Sequence, residues 1–152
     1  MATKKEISAF FNHLDVETSL ETISDRIKIQ KLVYLAEVFG LDTGFSFTWY
    51  VYGPYSPELT KVMFDSTNGR SSGLGETKSD LKKIQALKDY LGDDIQSSEK
   101  LELVASLHYV LSIALKTDSS EQDALDLFYD EKPQFSEKLV RSYLPKVKKL
   151  LK

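Results

Sequence analysis

The spacing of apolar positions predicts a chain made mostly of α-helices. Apolar residues that recur every three or four positions lie on one face of a helix. Segments with this one-sided pattern are 4–14, 81–91, 121–129 and 137–152. Two other segments, 26–39 and 99–115, are apolar on most sides, which is typical of helices buried in a core. We expect these two helices to form the centre of the fold.

The two central helices supply the predicted core. Because Tyr34 has apolar neighbours on both sides, its hydroxyl needs a buried hydrogen-bond partner. Six residues of these helices should be buried in one cluster: Leu32, Tyr34, Leu35, Leu103, Leu107 and Leu111.

Polar and special residues mark where several helices begin and end. Ser24 or Asp25 can cap the helix over 26–39, and Ser136 can cap the last helix, because these side chains accept a bond from a free amide of the first turn. Gly40 can adopt the left-handed conformation that ends a helix. Pro145 lies inside the last helix and should kink or split it.

The segment 45–52 has a different pattern, since aromatic and β-branched residues alternate with polar ones at its start. This pattern predicts a β-strand, and Gly53-Pro54 is expected to break it. Ser56, followed by Pro57, predicts the N-terminus of a helix that runs to about residue 66. The strand needs a partner for its backbone groups, which we expect within the glycine-rich segment 65–80.

Strand alternation divides the aromatic side chains into two faces. The more apolar face should be buried and contains Phe45, Phe47, Trp49 and Val51. The opposite face contains Tyr50 and Tyr52, whose hydroxyls tolerate water. Together with Tyr55 and Ser56, these two form the candidate partner-binding site, because aromatic anchors are frequent at protein interfaces. Stacking on nucleic-acid bases and packing beneath a neighbouring helix are the alternatives.

Composition and charge narrow the class of protein. A chain of 152 residues with 41% hydrophobic residues suits one globular domain over 1–152. It contains no cysteine, which excludes disulfide scaffolds and thiolate metal sites. The longest apolar run, 32–36, is far shorter than the roughly 20 residues of a membrane span, and the first residues lack a signal peptide's apolar core. We expect a cytoplasmic α+β protein, predominantly helical, with six to seven helices and a small β-sheet.

The residues that could carry out catalysis form no recognisable motif. His13 and His108 are the two histidines, and neither has partners at the spacing of a triad or a binuclear site. The acidic groups at 93–94 and 123–130 could hold Mg²⁺, although such groups are usually solvated. The glycine-rich stretch 69–75 lacks the ending of a P-loop. We therefore expect no enzymatic activity, no cofactor and no metal.

The C-terminal segment is strongly basic, with six cationic side chains against one acidic side chain over 137–152. Cations near a helix C-terminus are favoured by the helix dipole, so a structural role explains them without a ligand. The alternative is an anionic partner. In that case the candidate nucleic-acid contacts are Lys146, Lys148, Lys149 and Lys152.

Four stretches resemble the YwgA-like proteins of prokaryotes and, more distantly, the SocA-like antitoxin domain called Panacea. The first two are Gln30-Lys31-Leu32 with Tyr34, and 49–59, which contains Tyr-Gly-Pro; 101–109 and 132–136 are further similarities to the YwgA-like proteins. Panacea domains tend to have a valine and a further proline after Gly-Pro, where this chain has Tyr55-Ser56.

The resemblance implies a helical domain with a small sheet, of winged-helix-like character, that acts by binding. Our first hypothesis is a non-enzymatic protein-binding module, in a prokaryotic defence or regulatory system. The second is a winged-helix-like DNA-binding regulator that contacts phosphate through the Ser56-capped helix or the basic C-terminus. A small enzyme is the third.

Overall fold

The structure, a computed structural model, describes residues 1–65 and 71–151. Within them the chain forms seven α-helices, one β-hairpin and a 3₁₀ turn at Gly92–Gln96, which confirms the predominantly helical α+β class. The helices and strands are α1 (Lys4–His13), α2 (Ile23–Val38), β1 (Thr48–Tyr50), β2 (Gly53–Tyr55), α3 (Pro57–Phe64), α4 (Lys78–Leu91), α5 (Ser98–Lys116), α6 (Glu121–Glu131) and α7 (Glu137–Lys148). Three features named above lie outside the described residues: the predicted end of α3 near 66, the start of the glycine-rich stretch at 69–70, and Lys152.

The predicted caps of α3 and α7 are confirmed, whereas the cap of α2 was wrong. Ser56 and Ser136 accept bonds from amides of the first turn of α3 and α7. The cap of α2 is Thr22, whose hydroxyl accepts from the amide of Asp25 at 3.0 Å. Asp25 in turn accepts from the Thr22 amide at 3.3 Å, which forms a capping box. Asp25 is thus the third residue of the helix and not its cap, and the helix begins upstream of Ser24, at Ile23.

Pro145 does not split α7, which continues as a helix to Lys148. A proline removes the amide that would bond the carbonyl four residues earlier, here the carbonyl of Arg141. Arg141 is exposed, so water can bond that carbonyl instead. The loss of one backbone bond is tolerated for this reason.

Helices α2 and α5 pack against each other at the centre of the fold, as predicted. The six predicted core residues are all buried in one cluster. In the last turn of α5, Ala114 still belongs to this core, whereas Ile113 and Leu115 are exposed. Tyr34 has the buried partner that its surroundings required, because its hydroxyl lies 2.7 Å from Nδ1 of His108.

The small sheet differs from the predicted one in length and in partner. Strand β1 covers only 48–50 and pairs antiparallel with β2, with Trp49 opposite Pro54 and Tyr50 opposite Gly53. Gly53-Pro54 thus forms the second strand and does not simply end the first, and the described part of 65–80 contains no strand. Proline is tolerated here because each strand of a two-stranded sheet is an edge strand.

The chain reverses at Val51 and Tyr52, so the predicted alternation ends earlier than expected. Phe45 is buried, as the predicted inner face requires, whereas Phe47 and Trp49 are half-buried and pack against the core. Val51 was placed on that inner face, but it is 79% exposed because it lies in the turn. Tyr50 and Tyr52 are 51% and 43% exposed, which agrees with the predicted outer face.

Candidate functional site

The three tyrosines of the predicted partner-binding site lie together around the hairpin. The rings of Tyr50 and Tyr55 are in contact, with centroids 4.9 Å apart. The Tyr55 hydroxyl lies 2.7 Å from the hydroxyl of Thr60 on α3, which fixes its ring against that helix. Tyr52 lies in the turn beside them. The hairpin therefore presents an aromatic surface with hydroxyl groups at its edge.

Ser56 does not belong to this surface, because it is fully buried. Its hydroxyl accepts a hydrogen bond from the amide of Leu59 at 3.3 Å, and its own amide donates to Oε1 of Gln30 at 2.8 Å. Ser56 therefore orients α3 relative to the hairpin, and a partner would not contact its hydroxyl directly.

A groove of about 340 Å³ opens between α2 and α3 and reaches the hairpin tyrosines. Tyr52 and Tyr55 line the hairpin end, and the exposed side chains of Ile23 and Phe64 lie at the opposite end. Most of the remaining lining is apolar: Leu20, Ile27, Ile29, Leu59 and Met63. Sequence reasoning did not find this groove, since it depends on how two separate helices pack.

Two polar side chains of α2 attach the hairpin and the start of α3 to the core. Gln30 accepts from the Ser56 amide and donates to the Ser56 carbonyl at 3.1 Å and to the Thr60 hydroxyl at 2.9 Å. Lys31, which is buried, donates from Nζ to the carbonyl of Pro54 at 2.6 Å. Burial lowers the pKa of Lys31 from its ordinary value of 10.5 to about 7; Glu102 opposes this effect and Lys132 adds to it.

A second attachment comes from α5 and the residue after α6. Lys132 and Glu102 form a buried ion pair, with Nζ and Oε2 2.8 Å apart. The same Nζ donates to the carbonyl of Val51 at 2.5 Å and lies 5.4 Å from the centre of the Trp49 ring. Backbone carbonyls of the turn and of β2 are thus bonded by buried ammonium groups, so the core determines the orientation of the exposed tyrosines.

His108 has a structural environment, and His13 is exposed at the end of α1. Burial lowers the pKa of His108 to about 4; the charge of Lys116 lowers it further, and a backbone hydrogen bond to Leu150 opposes the decrease. The Ser112 hydroxyl lies 3.5 Å from Nδ1 and 3.4 Å from Nε2. An oxygen almost equidistant from both nitrogens is aligned with neither lone pair, so this serine and histidine lack the geometry of an activated nucleophile.

The glycine-rich stretch and the acidic groups also have internal explanations. The amides of Ser72 and Gly73 donate to the Glu6 carboxylate at 3.2 and 3.0 Å, so a side chain of α1 occupies the position that a phosphate would need. Asp123 belongs to the capping box of α6. Over 1–65 and 71–151, no group of three or more His, Asp or Glu residues is arranged to hold a metal. In the same ranges, none of the helices has the length and apolarity needed to cross a bilayer.

Three of the basic residues in segment 137–152 make contacts within the chain, and one of them is Arg141, which pairs with Glu137. Lys146 lies 4.7 Å from the centre of the Tyr90 ring, and Lys148 pairs with Glu121 at 2.6 Å. Lys149 is exposed. Contacts within the protein therefore give Lys146 and Lys148 a structural role that needs no ligand. Nucleic-acid binding by this segment stays a prediction.

Comparisons with family models, with curated proteins and with solved structures return no match for this chain. The resemblance to YwgA-like proteins and to the Panacea domain, including the winged-helix-like character that it implies, therefore stays a prediction based on the sequence motifs. In the structure the first two of these motifs contact each other. Gln30 donates to the carbonyl of Ser56, and Lys31 donates to the carbonyl of Pro54.

Proposed function

We propose that this chain is a non-enzymatic protein-binding module, and that its partner docks on the surface formed by Tyr50, Tyr52 and Tyr55 together with the groove between α2 and α3. The observation that carries the proposal is the continuity of two features: an exposed aromatic hairpin turn and an open apolar groove that two of its tyrosines line.

The physical argument concerns the free energy of docking. Burial of apolar surface contributes roughly 25 cal/mol per Å², and an aromatic anchor in the centre of an interface contributes about 2 kcal/mol or more. Ordering a flexible loop would reduce this gain. Here Lys31 and Lys132 already bond the hairpin carbonyls, so little further ordering is needed when a partner binds.

The resemblance to SocA-like antitoxins and YwgA-like proteins supports the same class of function. Under this proposal the chain acts in the cytoplasm of a prokaryote, in a defence or regulatory system, by binding another protein. The partner would recognise the hairpin and groove by shape and apolar contact, and no cofactor would be involved.

The proposal is tested by site-specific photo-crosslinking in the native host. A photoreactive phenylalanine replaces Tyr52, and a matched variant carries it at Leu127, an exposed side chain of α6 that is 48% accessible against 43% for Tyr52. We expect one protein to be crosslinked from position 52 and not from position 127. The purified pair should then bind at least tenfold more weakly with Tyr52→Ala and unchanged with Leu127→Ala. Equal crosslinking from both positions, or full affinity in folded Tyr52→Ala, would refute the proposed surface.

A further inference from the structure

We infer that the groove accepts one face of an amphipathic α-helix whose central carboxylate side chain pairs with Arg26. This inference rests on the proposed function and names the kind of partner segment that the groove fits. It follows from the spacing of the lining residues and from the sign of their charges.

The lining residues form one row on α2 and one on α3. On α2 they lie at 23, 26, 27, 29, 30 and 31, of which 23, 26, 27 and 30 have the i, i+3, i+4, i+7 spacing of one helical face; on α3 they lie at 59, 60, 63 and 64. Two contacts join the helices along these rows: Gln30 with Thr60 at 2.9 Å, and Arg26 above the Phe64 ring at 5.6 Å. Seven residues of helix span about 10 Å, which is two turns. A third helix laid along the groove would therefore place side chains at i, i+3, i+4 and i+7 between the rows.

The charges along the groove favour an acidic occupant. Its charged lining residues are Arg26 and Lys31, and its lining contains no carboxylate. Arg26 is exposed, and it donates from Nε to the Leu20 carbonyl at 2.8 Å. It makes no ion pair with any residue in the ranges described. Its terminal nitrogens can therefore form the two parallel hydrogen bonds that guanidinium makes to a carboxylate.

Lys31 contributes to this preference without making the contact. Its ammonium is buried and bonded to the Pro54 carbonyl, so an occupant would not reach it directly. Because the pKa of Lys31 is about 7, it is only partly charged at neutral pH and adds a partial positive charge to the local potential. A helix with lysine at its centre would meet Arg26 and this partial charge, and we expect it to be disfavoured.

The test uses three helix-stapled peptides of about 15 residues, since unstapled helices of this length are marginal in water. All carry leucine at four positions spaced i, i+3, i+4 and i+7 and differ only in a central Glu, Gln or Lys. Binding is measured by fluorescence anisotropy at low salt, and the site is located by NMR shifts of the Ile27 and Met63 methyl groups. We expect the Glu peptide to bind about three- to tenfold more tightly than the Gln peptide, and the Lys peptide to bind most weakly.

A double-mutant cycle assigns the preference to one residue. In Arg26→Gln the ratio between the Glu and Gln peptides should fall to about one. The matched control is Lys28→Gln, which removes the same charge from α2 at a position outside the groove lining; there the ratio should be kept. A ratio that persists in folded Arg26→Gln would overturn the inference.

Other outcomes separate this inference from the proposed function. Failure of all three peptides at millimolar concentration overturns the helix inference, and binding of decanoate in their place would assign the groove to a small amphiphilic carboxylate. If position 52 still crosslinks a protein, the proposed function stands without the helix. If the peptides show the expected preference while position 52 crosslinks nothing, the inference stands and the hairpin is not part of the partner surface.

Discussion

Acid should destabilise the fold through His108, whose ring is buried and bonded to Tyr34. The pKa of this histidine falls from 6.5 in the unfolded chain to about 4 in the folded protein because burial disfavours the charged ring. Between these values the unfolded chain binds more protons, so its population increases as the pH falls. The stabilising contribution is therefore complete above about pH 6.5 and is lost progressively toward pH 4.

The magnitude follows from the pKa difference. A difference between 6.5 and about 4 corresponds to about 3.4 kcal/mol when both states are fully protonated, and to about 2.5 kcal/mol at pH 4.5. This is a large part of the roughly 5–15 kcal/mol that a domain has in total. A charged ring has a proton on both nitrogens, so Nδ1 could then only donate to the Tyr34 hydroxyl oxygen and could no longer accept from it.

The assay is urea unfolding followed by circular dichroism at pH 7.0, 5.5 and 4.5, on the wild type and on His108→Gln. Glutamine does not titrate, so the variant reports the pH dependence of all other groups. We expect the wild type to lose about 2–3 kcal/mol more than the variant between pH 7.0 and 4.5. Parallel losses in both proteins would show that His108 is charged in the folded state or not buried. An NMR titration, with the second histidine resonance identified by His13→Gln, gives the folded pKa directly.

The other predictions concern stability and use the same urea assay. Leu107→Ala should cost about 2–5 kcal/mol because the side chain is fully buried; a cost below about 1 kcal/mol would place α5 outside the core. Trp49→Ala should cost about 2–4 kcal/mol and Tyr50→Ala less than about 1 kcal/mol, and the reverse order would contradict the assigned faces of the hairpin. Lys132→Met removes the ammonium partner of the buried Glu102 carboxylate, which keeps a 3.3 Å bond from Gln134. The expected cost is about 3–5 kcal/mol, and Glu102→Leu in the same chain should recover most of it; no recovery would contradict the ion-pair explanation.

The helices could be predicted from the sequence because their signals are local. Apolar spacing and capping residues located six of the seven to within a few residues, although Thr22 was missed as the cap of α2. The end of the remaining helix, α3, was predicted at a position outside the described residues. The sheet was less predictable, since alternation over 45–52 shows an extended chain but not where that chain turns.

The position of the hairpin turn is decided by a contact between distant residues. Gly53 has a φ of +97°, a conformation that favours glycine. A Cβ atom at this residue would lie 2.1 Å from the Ser106 hydroxyl oxygen, so only glycine allows β2 to pack so closely on α5. Nothing near Gly53 in the sequence indicates that Ser106 lies there. Gly53-Pro54 was therefore interpreted as the end of the strand, and the second strand was not predicted.

The buried polar residues near the site did leave a signal in the sequence. Glu102 interrupts an apolar run and Lys31 directly precedes one, and both positions are buried. A charge at such a position is costly unless it has a partner, which indicates that another part of the chain must supply one. The partners themselves, the carbonyl of Pro54 and the ammonium of Lys132, could not be assigned because they come from other elements.

The hairpin and these charges together explain how so small a sheet can present a defined surface. A two-stranded hairpin is at best marginally stable on its own in water, and this one has only three paired positions. Lys31 and Lys132 bond its backbone from two different helical regions, while Gly53 allows close packing on α5. Apolar residues could fill the same volume with equal or greater stability, but they offer no donors to the Val51 and Pro54 carbonyls. The charges therefore contribute the orientation of the turn, and the groups that hold the exposed tyrosines in place are themselves buried.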